Sequence, residues 1–404
     1  MKIYAFTENY PSPYKSYHDT QFEQFIKDGH SLRLFAFDRH AGELNPVVRE
    51  LGLDKKVVNL PATLKSLPAA VVPTIGRFLI SPLATSRRAL VAATSQASPT
   101  QRVMHAVRAA SLPDEAPDLC IVHNLLTQLR LGFLKKIYPR SPIAFYYHGG
   151  ELPGVPRVSE RDAAIAFAGA DVVFTNTENS RQHAIGRGCA PAKIFVSPVG
   201  FNLESFPEPK SRRYRSEGRL RVLTVGRLSE EKGIIYALEA FSRIKDQGRN
   251  IQYRVVGDGP QERRLRNCVA EHGLEGCVEF VGKLSRDKLL GEYVSADVFL
   301  LPSVVRGTWQ ENQACVVQEA LLAKTVAAVS RTGGVPESTA PSMLPFSFCP
   351  ENPEQIAHAL QRLDDLSIAE MTLLGQGGRE FVEQRYDIRL LNRELLNTAL
   401  NVHR

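Results

Sequence analysis

Residues 309–338 read WQENQACVVQEALLAKTVAAVSRTGGVPES. Glu311 and Glu319 stand eight positions apart around the apolar run Ala314-Cys315-Val316-Val317. After Glu319 comes Ala-Leu-Leu-Ala, which favours a helix, then the apolar run 326–329, then a glycine pair. The order predicted is therefore helix start, helix, short strand and turn. A helix beginning near Asn312 leaves Glu311 in the loop at its N-terminus and carries Glu319 about two turns further on. Two carboxylates on one rim can hold the hydroxyls of a polyol by paired hydrogen bonds. Two glutamates at that spacing also occur on solvated helices, so the rest of the chain has to decide.

Working outward, the preceding segment repeats one pattern. The strand-like RVLTVG of 221–226 runs into Arg227-Leu-Ser-Glu-Glu-Lys232-Gly233, followed by a helix from about Ile234. A helix N-terminus offers free amides and partial positive charge, and two cations five apart add formal charge suited to a diphosphate. The plain alternative is a solvated loop whose cations pair with Glu230 and Glu231. Residues 251–256 form a further strand that ends in Gly257-Asp-Gly-Pro260, a weak dinucleotide signal on its own. The strand 277–281 exits through Gly282-Lys283-Leu284-Ser285, and 297–301 leads into Pro302-Ser303. Amphipathic stretches at 353–363 and 369–400 read as closing helices.

The first half alternates in the same way. Residues 2–7 and 32–37 are strand-like around a helix at 19–27, which implies parallel β-α-β units with a ligand crevice at the carboxyl ends of the strands. The loop 8–18 carries Tyr14, Lys15, Ser16 and Tyr17 toward that crevice. Strands at 118–123 and 143–148 both end in histidine, His123 and His148. A lone strand-end histidine is more often a satisfied packing residue, but Gly149-Gly150 after His148 allows close backbone approach to a ligand. The strand 171–175 ends at Asn176, with a helix from Ser180, and 194–206 closes the half. The polar, proline-bearing stretch 207–218 is read as the linker.

Jointly, GRL-x3-KG, GDGP, VGKLS, ADVFLLPS, E-x7-EA and GGVPE, with the earlier HG and PxGxxxxxF strings, resemble the retaining GT-B glycosyltransferases of family 4 (group 1). Within that group the Pro-Ser-rich first loop is similar to polysaccharide- and envelope-glycan-building members. The resemblance implies an α/β fold of two Rossmann-like domains, 1–206 and 219–385, facing across a cleft. A closing helix at 386–404 crosses back onto the first. It implies transfer of a sugar from a UDP- or GDP-linked nucleotide-sugar to a glycan or lipid-linked acceptor hydroxyl. Arg227 and Lys232 would hold the diphosphate, Glu311 and His148 the donor sugar, and Glu319 the ribose. Gly226, Gly257, Gly282, Lys283, Leu284, Asn312, Gln313 and Ala314 would complete the donor pocket. Tyr14, Lys15, Ser16, His123 and Asn176 are the acceptor-side candidates. No cofactor and no metal are expected, since no acidic D-x-D pair is present. Lys324 and Val326 stand where relatives carry Gly and Pro, a departure that bears on a turn. Two rival readings are another GT-B enzyme, an epimerase or phosphorylase, and a non-catalytic binding subunit.

Composition bounds these readings. A chain of 404 residues with 43% hydrophobic and 23% charged residues is ordinary globular material for two or three domains. No apolar run reaches the ~18–20 residues needed to cross a bilayer, and the N-terminus turns polar too soon for a signal peptide. Six scattered cysteines without a CxxC pair suit reduced thiols, hence a cytoplasmic protein. The net charge is +7, and residues 65–140 carry ten Lys/Arg against three Asp/Glu, interleaved with apolar residues. That segment has the composition for an anionic membrane surface, at the inner face, or for the solvated side of core helices. Nothing in it suggests nucleic acid.

Overall fold

The computed structural model describes residues 1–12, 16–39, 44–66, 75, 79–94, 98–149, 158–209 and 212–402. Its strands form two wholly parallel sheets. In the first, β1 (Lys2–Asn9), β2 (Ser31–Asp38), β3 (Val57–Asn59), β4 (Leu119–His123), β5 (Ile143–Tyr147), β6 (Val172–Thr175) and β7 (Ile194–Val196) take the order β3-β2-β1-β4-β5-β6-β7. In the second, β8 (Leu220–Val225), β9 (Ile251–Val256), β10 (Val278–Gly282), β11 (Val298–Leu301) and β12 (Val326–Val329) take the order β10-β9-β8-β11-β12. Strands covered on both faces read as unbroken apolar runs rather than alternating ones. The strands β4, β5 and β11, and β12 at the edge of the second sheet, are buried at every residue. The edge strand β3 and the helices Pro82–Ala93 and Pro99–Ala110 of the basic segment were not singled out from the sequence.

The helix carrying Glu319 runs Cys315–Leu322, three residues later than the pattern predicts. Its approach stays extended because other groups hold it. The Gly334 amide donates to the Glu311 carbonyl at 2.9 Å, and the Ala314 amide donates to Ser338 Oγ at 3.1 Å. Glu319 consequently lies about one turn inside the helix, not two.

The polar stretch after Phe206 is anchored rather than loose. Arg212 donates to the carbonyls of Val294 and Ala323 at 2.8 Å, and the Tyr214 hydroxyl donates to the Lys324 carbonyl at 2.5 Å. The predicted closing stretch is two helices, Ile368–Arg385 and Ile388–Asn401. The chain turns between them where the Phe201 amide donates to the Tyr386 carbonyl (2.7 Å) and the Ile388 amide to the Phe201 carbonyl (3.1 Å). The last helix then packs Leu395, Leu396 and Ala399 into the core beneath β1, β4 and β5 of the first sheet.

Leu395 is fully buried among side chains of the other domain. We predict that Leu395→Ala lowers stability by about 2–5 kcal/mol, as for other buried Leu truncations. Urea unfolding should place the loss in the transition of the first domain.

Candidate active site in the interdomain cleft

Both sheets reverse strand order beside their first strand, between β1 and β4 and between β8 and β11. Crevices open at such switch points, outside the carboxyl ends of the strands. Here the two crevices face one another and enclose a cavity of about 430 Å³, lined by Glu8, Asn124 and His148 on one side and by Arg227, Lys232 and Glu311 on the other.

The wall from the second sheet carries the charges. Lys232 Nζ lies 2.6 Å from Glu311 Oε2, which also accepts from Ser303 Oγ at 3.1 Å, and the ammonium sits 5.5 Å from the centre of the Trp309 ring. Arg227 pairs with Glu231, whose Oε1 accepts from Ser229 Oγ at 2.7 Å. Burial alone would raise the Glu231 pKa, but the bonds from Ser229 and Arg227 bring it below the ordinary carboxylate value. Both cations therefore stand on the cleft with anionic partners, at the turn leading into the helix Ile234–Lys245.

Glu311 owes its position to the glycine pair of GGVPE. Gly333 has φ of +52°, and a Cβ there would lie 1.9 Å from the Glu311 carbonyl oxygen. Along the neighbouring strand exits, the Gly226 amide donates to the Val256 carbonyl (3.0 Å) and the Gly257 amide to the Gly282 carbonyl (2.9 Å). Gly257, at φ of +137°, admits no Cβ because Gly226 O would be 1.9 Å away. Gly226, Gly257 and Gly282 thus form a closed row leading away from the cations to exposed Lys283 and half-buried Leu284. Neither these residues nor Glu319 lines the central cavity. Glu319 is half-buried and accepts from the Tyr293 hydroxyl at 2.8 Å; burial raises its pKa, against opposing pulls from Tyr293 and Arg286.

On the opposite wall His148 lines the cavity, and its Nε2 lies 3.1 Å from Nδ1 of fully buried His123. His123 is therefore placed behind His148, not on the cleft surface. Asn176 lines the cleft, and its Oδ1 has no hydrogen-bond partner among the described residues. Tyr14, Lys15 and Gly150 lie outside the described residues, and Ser16 opens the helix Ser16–Lys27.

Asn312 and Gln313, read from sequence as donor-pocket residues, spend their side chains on the other domain. The Asn312 amide donates to the His148 carbonyl, while its Oδ1 accepts from Thr177 Oγ1 at 2.8 Å and from Ser180 Oγ. Gln313 accepts from the Val199 amide (2.6 Å) and donates to the Val199 carbonyl (2.9 Å). Glu337, the last residue of GGVPE, accepts from the amides of Glu178 (2.6 Å) and Asn179 (2.9 Å) at the start of the helix Glu178–Gly186. A carboxylate is favoured there by the unpaired amides and the helix dipole. The Ala314 side chain is buried in the core of the second domain. Sequence reasoning passed over Trp309, Tyr293 and the cross-domain contact of Glu337. The glutamate stood in a quoted string, yet no local pattern names a partner 158 or 159 positions away.

Solved structures share the fold over nearly the whole chain. HepE of Anabaena, crystallised with UDP, superposes with a TM-score of 0.70 at 17% identity over 98% of this chain and 99% of its own. A glycosyltransferase from Rickettsia africae superposes at 0.70 with 15% identity, over 99% and 98%. The architecture is GT-B. Residues 207–373 match the family model described as glycosyl transferases group 1. WcaL of Escherichia coli, named for colanic acid biosynthesis, is 32% identical over 211 residues, 52% of this chain and 51% of WcaL. The chain thus spans about half the length of that relative. The amylovoran biosynthesis glycosyltransferase AmsK of Erwinia amylovora is 25% identical over 374 residues, 83% of this chain and 84% of AmsK.

Removing the Glu337 carboxylate leaves two helix-end amides of the other domain without their acceptor. We predict that the double variant Asn312→Ala/Glu337→Ala opens the cleft. Small-angle scattering should show a larger radius of gyration than for the unmodified protein, with unchanged helix content by circular dichroism.

Proposed function

We propose that the chain is a retaining glycosyltransferase that moves a sugar from a UDP- or GDP-linked donor to an acceptor hydroxyl in polysaccharide or envelope-glycan synthesis. The observation that carries this reading is the juxtaposition of Arg227, Lys232 and Glu311 on one lip of the GT-B cleft, with His148 on the other. HepE, with the same fold, was crystallised with UDP and with UDP and glucose, and AmsK and WcaL are named for amylovoran and colanic acid biosynthesis.

In this scheme the diphosphate enters between Arg227 and Lys232 and takes over from their carboxylate partners. Charge that develops on the leaving group meets cations already in place, the electrostatic contribution that usually weighs most in catalysis. Glu311, released from Lys232, accepts a hydrogen bond from a donor-sugar hydroxyl, and Glu319 accepts from the ribose diol. Gly226, Gly257, Gly282, Lys283 and Leu284 lie along the route for the nucleoside. His148 meets the sugar from the first domain, with His123 holding its ring. The acceptor attacks from the face the leaving group departs, and a phosphate oxygen receives its proton, so configuration is retained and no metal is needed. Asn176, with Tyr14, Lys15 and the helix-opening Ser16, belongs to the acceptor side.

A lipid-linked acceptor at the inner membrane face fits the basic segment. On the helix Pro82–Ala93, Leu83 (86% exposed) and Leu90 (68%) flank Arg87 at helical spacing, continuing the exposed Leu79 and Ile80. Apolar and cationic side chains on one stripe suit an anionic lipid surface. No described helix is long and apolar enough to cross a membrane.

A thermal-shift screen against UDP, GDP, ADP and CMP tests the donor site. Ligand at 100 times its Kd should add about 2.7 kcal/mol of stability, and the shift should vanish in Arg227→Ala and Glu319→Ala. The absence of a shift with every nucleotide would overturn the donor-site reading in favour of a binding subunit. Phosphate-dependent sugar release, or turnover without acceptor, would favour a phosphorylase or an epimerase.

Glu319 also gives the site a pH signature. Because burial raises its pKa, the carboxylate takes up a proton above the ordinary glutamate range near ~4.3 as the pH falls, and loses acceptor capacity for the ribose. Calorimetry should show nucleotide affinity declining on the acid side from above that range, and Glu319→Gln should flatten this limb.

A further inference from the structure

Among the described residues, His18, His123 and His148 form a group whose ring nitrogens, one from each, lie within 4.8 Å of one another. They come from separate places in the chain: the first turn of the helix Ser16–Lys27, the last residue of β4 and the residue after β5. Strand order brings them together, since β4 and β5 are neighbours and the helix follows β1 on the other side of β4. His18 and His123 are buried, and His148 is half-buried at the cleft. An aromatic shell surrounds the group: Phe22 lies 5.8 Å from His18, and Tyr146 lies 5.3 Å from both His123 and His148, between ring centres.

Three points no more than 4.8 Å apart fit inside a circle of radius about 2.8 Å, against the ~2.0–2.1 Å of a zinc–imidazole bond. Contraction by under ~1 Å per ring, within reach of small side-chain rotations, brings all three onto one ion. His123 Nδ1 and His148 Nε2, at 3.1 Å, are close to the ~3.3 Å separation of two nitrogens in a tetrahedral site. That pair has only one proton between them when hydrogen-bonded, so one of the two presents a lone pair. A cavity of about 20 Å³ abuts His123, His148, Tyr17 and Tyr146, enough for one ion or water. Tyr17 and His148 also line the large cleft, which supplies an entry path.

We propose that His18, His123 and His148 form a binding site for a divalent transition ion of zinc's class, with a fourth coordination position open toward the small cavity. Three neutral imidazoles and no carboxylate select borderline ions such as Zn²⁺ and Co²⁺ over Mg²⁺ or Ca²⁺. This departs from the sequence expectation of no metal, which rested on the lack of an acidic pair. A bound ion ties together three segments of the first domain and draws the His148 ring inward, away from the cleft. The site stands on geometry alone and does not depend on the donor reading.

The test is a titration of metal-stripped protein with Co²⁺, read by visible absorption, followed by competition with Zn²⁺ in a calorimeter. The expected result is one equivalent of Co²⁺ with the intense bands of a four-coordinate site, displaced by Zn²⁺. Affinity should fall by at least about tenfold in His18→Gln, His123→Gln and His148→Gln, and stay unchanged in His272→Gln, an exposed histidine of the other domain. The half-buried His148 position gives a variant that can be read even where a core replacement unfolds. Absence of the bands in the unmodified protein, or their persistence at full strength in folded His148→Gln, would overturn the proposal.

Discussion

Lys232 and Glu311 meet at 2.6 Å with side chains only 17% and 14% exposed, joining parts of the second domain that are 79 residues apart. Each charge is the other's counter-ion on the wall of the cleft, so removing either partner leaves the remaining one poorly compensated. The surrounding structure is arranged to keep both. Gly333 allows the backbone of Glu311 to lie against the turn, Ser303 supplies a further hydrogen bond, and Trp309 covers the ammonium. An arrangement of this kind is primed for exchange. In the proposed scheme a diphosphate replaces the carboxylate as the counter-ion of Lys232, and Glu311 keeps its bond from Ser303 and gains a sugar hydroxyl as a second donor.

Closure of the cleft uses the same segment. Asn312 and Gln313 follow Glu311 directly and bind His148, Thr177, Ser180 and Val199 of the first domain, while Glu337 caps the helix Glu178–Gly186. The loop that carries Glu311, the acidic residue of the proposed donor site, is thus also the clasp between domains. Any shift of Glu311 on ligand exchange acts on the closure contacts of its two neighbours.

The second domain was legible in the sequence because its strands are short, apolar and bounded by glycine turns. Residues 251–256 and 326–329 coincide with β9 and β12. The departure at Lys324 proved local: its φ of +61° keeps the left-handed turn in which glycine is favoured, so the chain reaches β12 without a break. Failures occurred where tertiary contacts decide. The helix start near Asn312 was misplaced because the side chains ahead of Cys315 are drawn to the other domain. The stretch around Arg212 and Tyr214, read as the inter-domain linker, is anchored in a way its polar composition does not show: its donors satisfy carbonyls at the ends of other elements. His18 had no signal at all. Only the strand order sets it beside His123 and His148.

The exchange at Lys232 is best tested by calorimetric titration of a nucleoside diphosphate into the unmodified protein, Lys232→Ala, Glu311→Gln and the double variant. If the diphosphate displaces the Glu311 carboxylate, Lys232→Ala weakens binding by tenfold or more, about 1.4 kcal/mol. Glu311→Gln then strengthens it, and the double variant resembles Lys232→Ala. Unchanged affinity in Lys232→Ala, or a loss in Glu311→Gln as large as that in Lys232→Ala, would contradict the account.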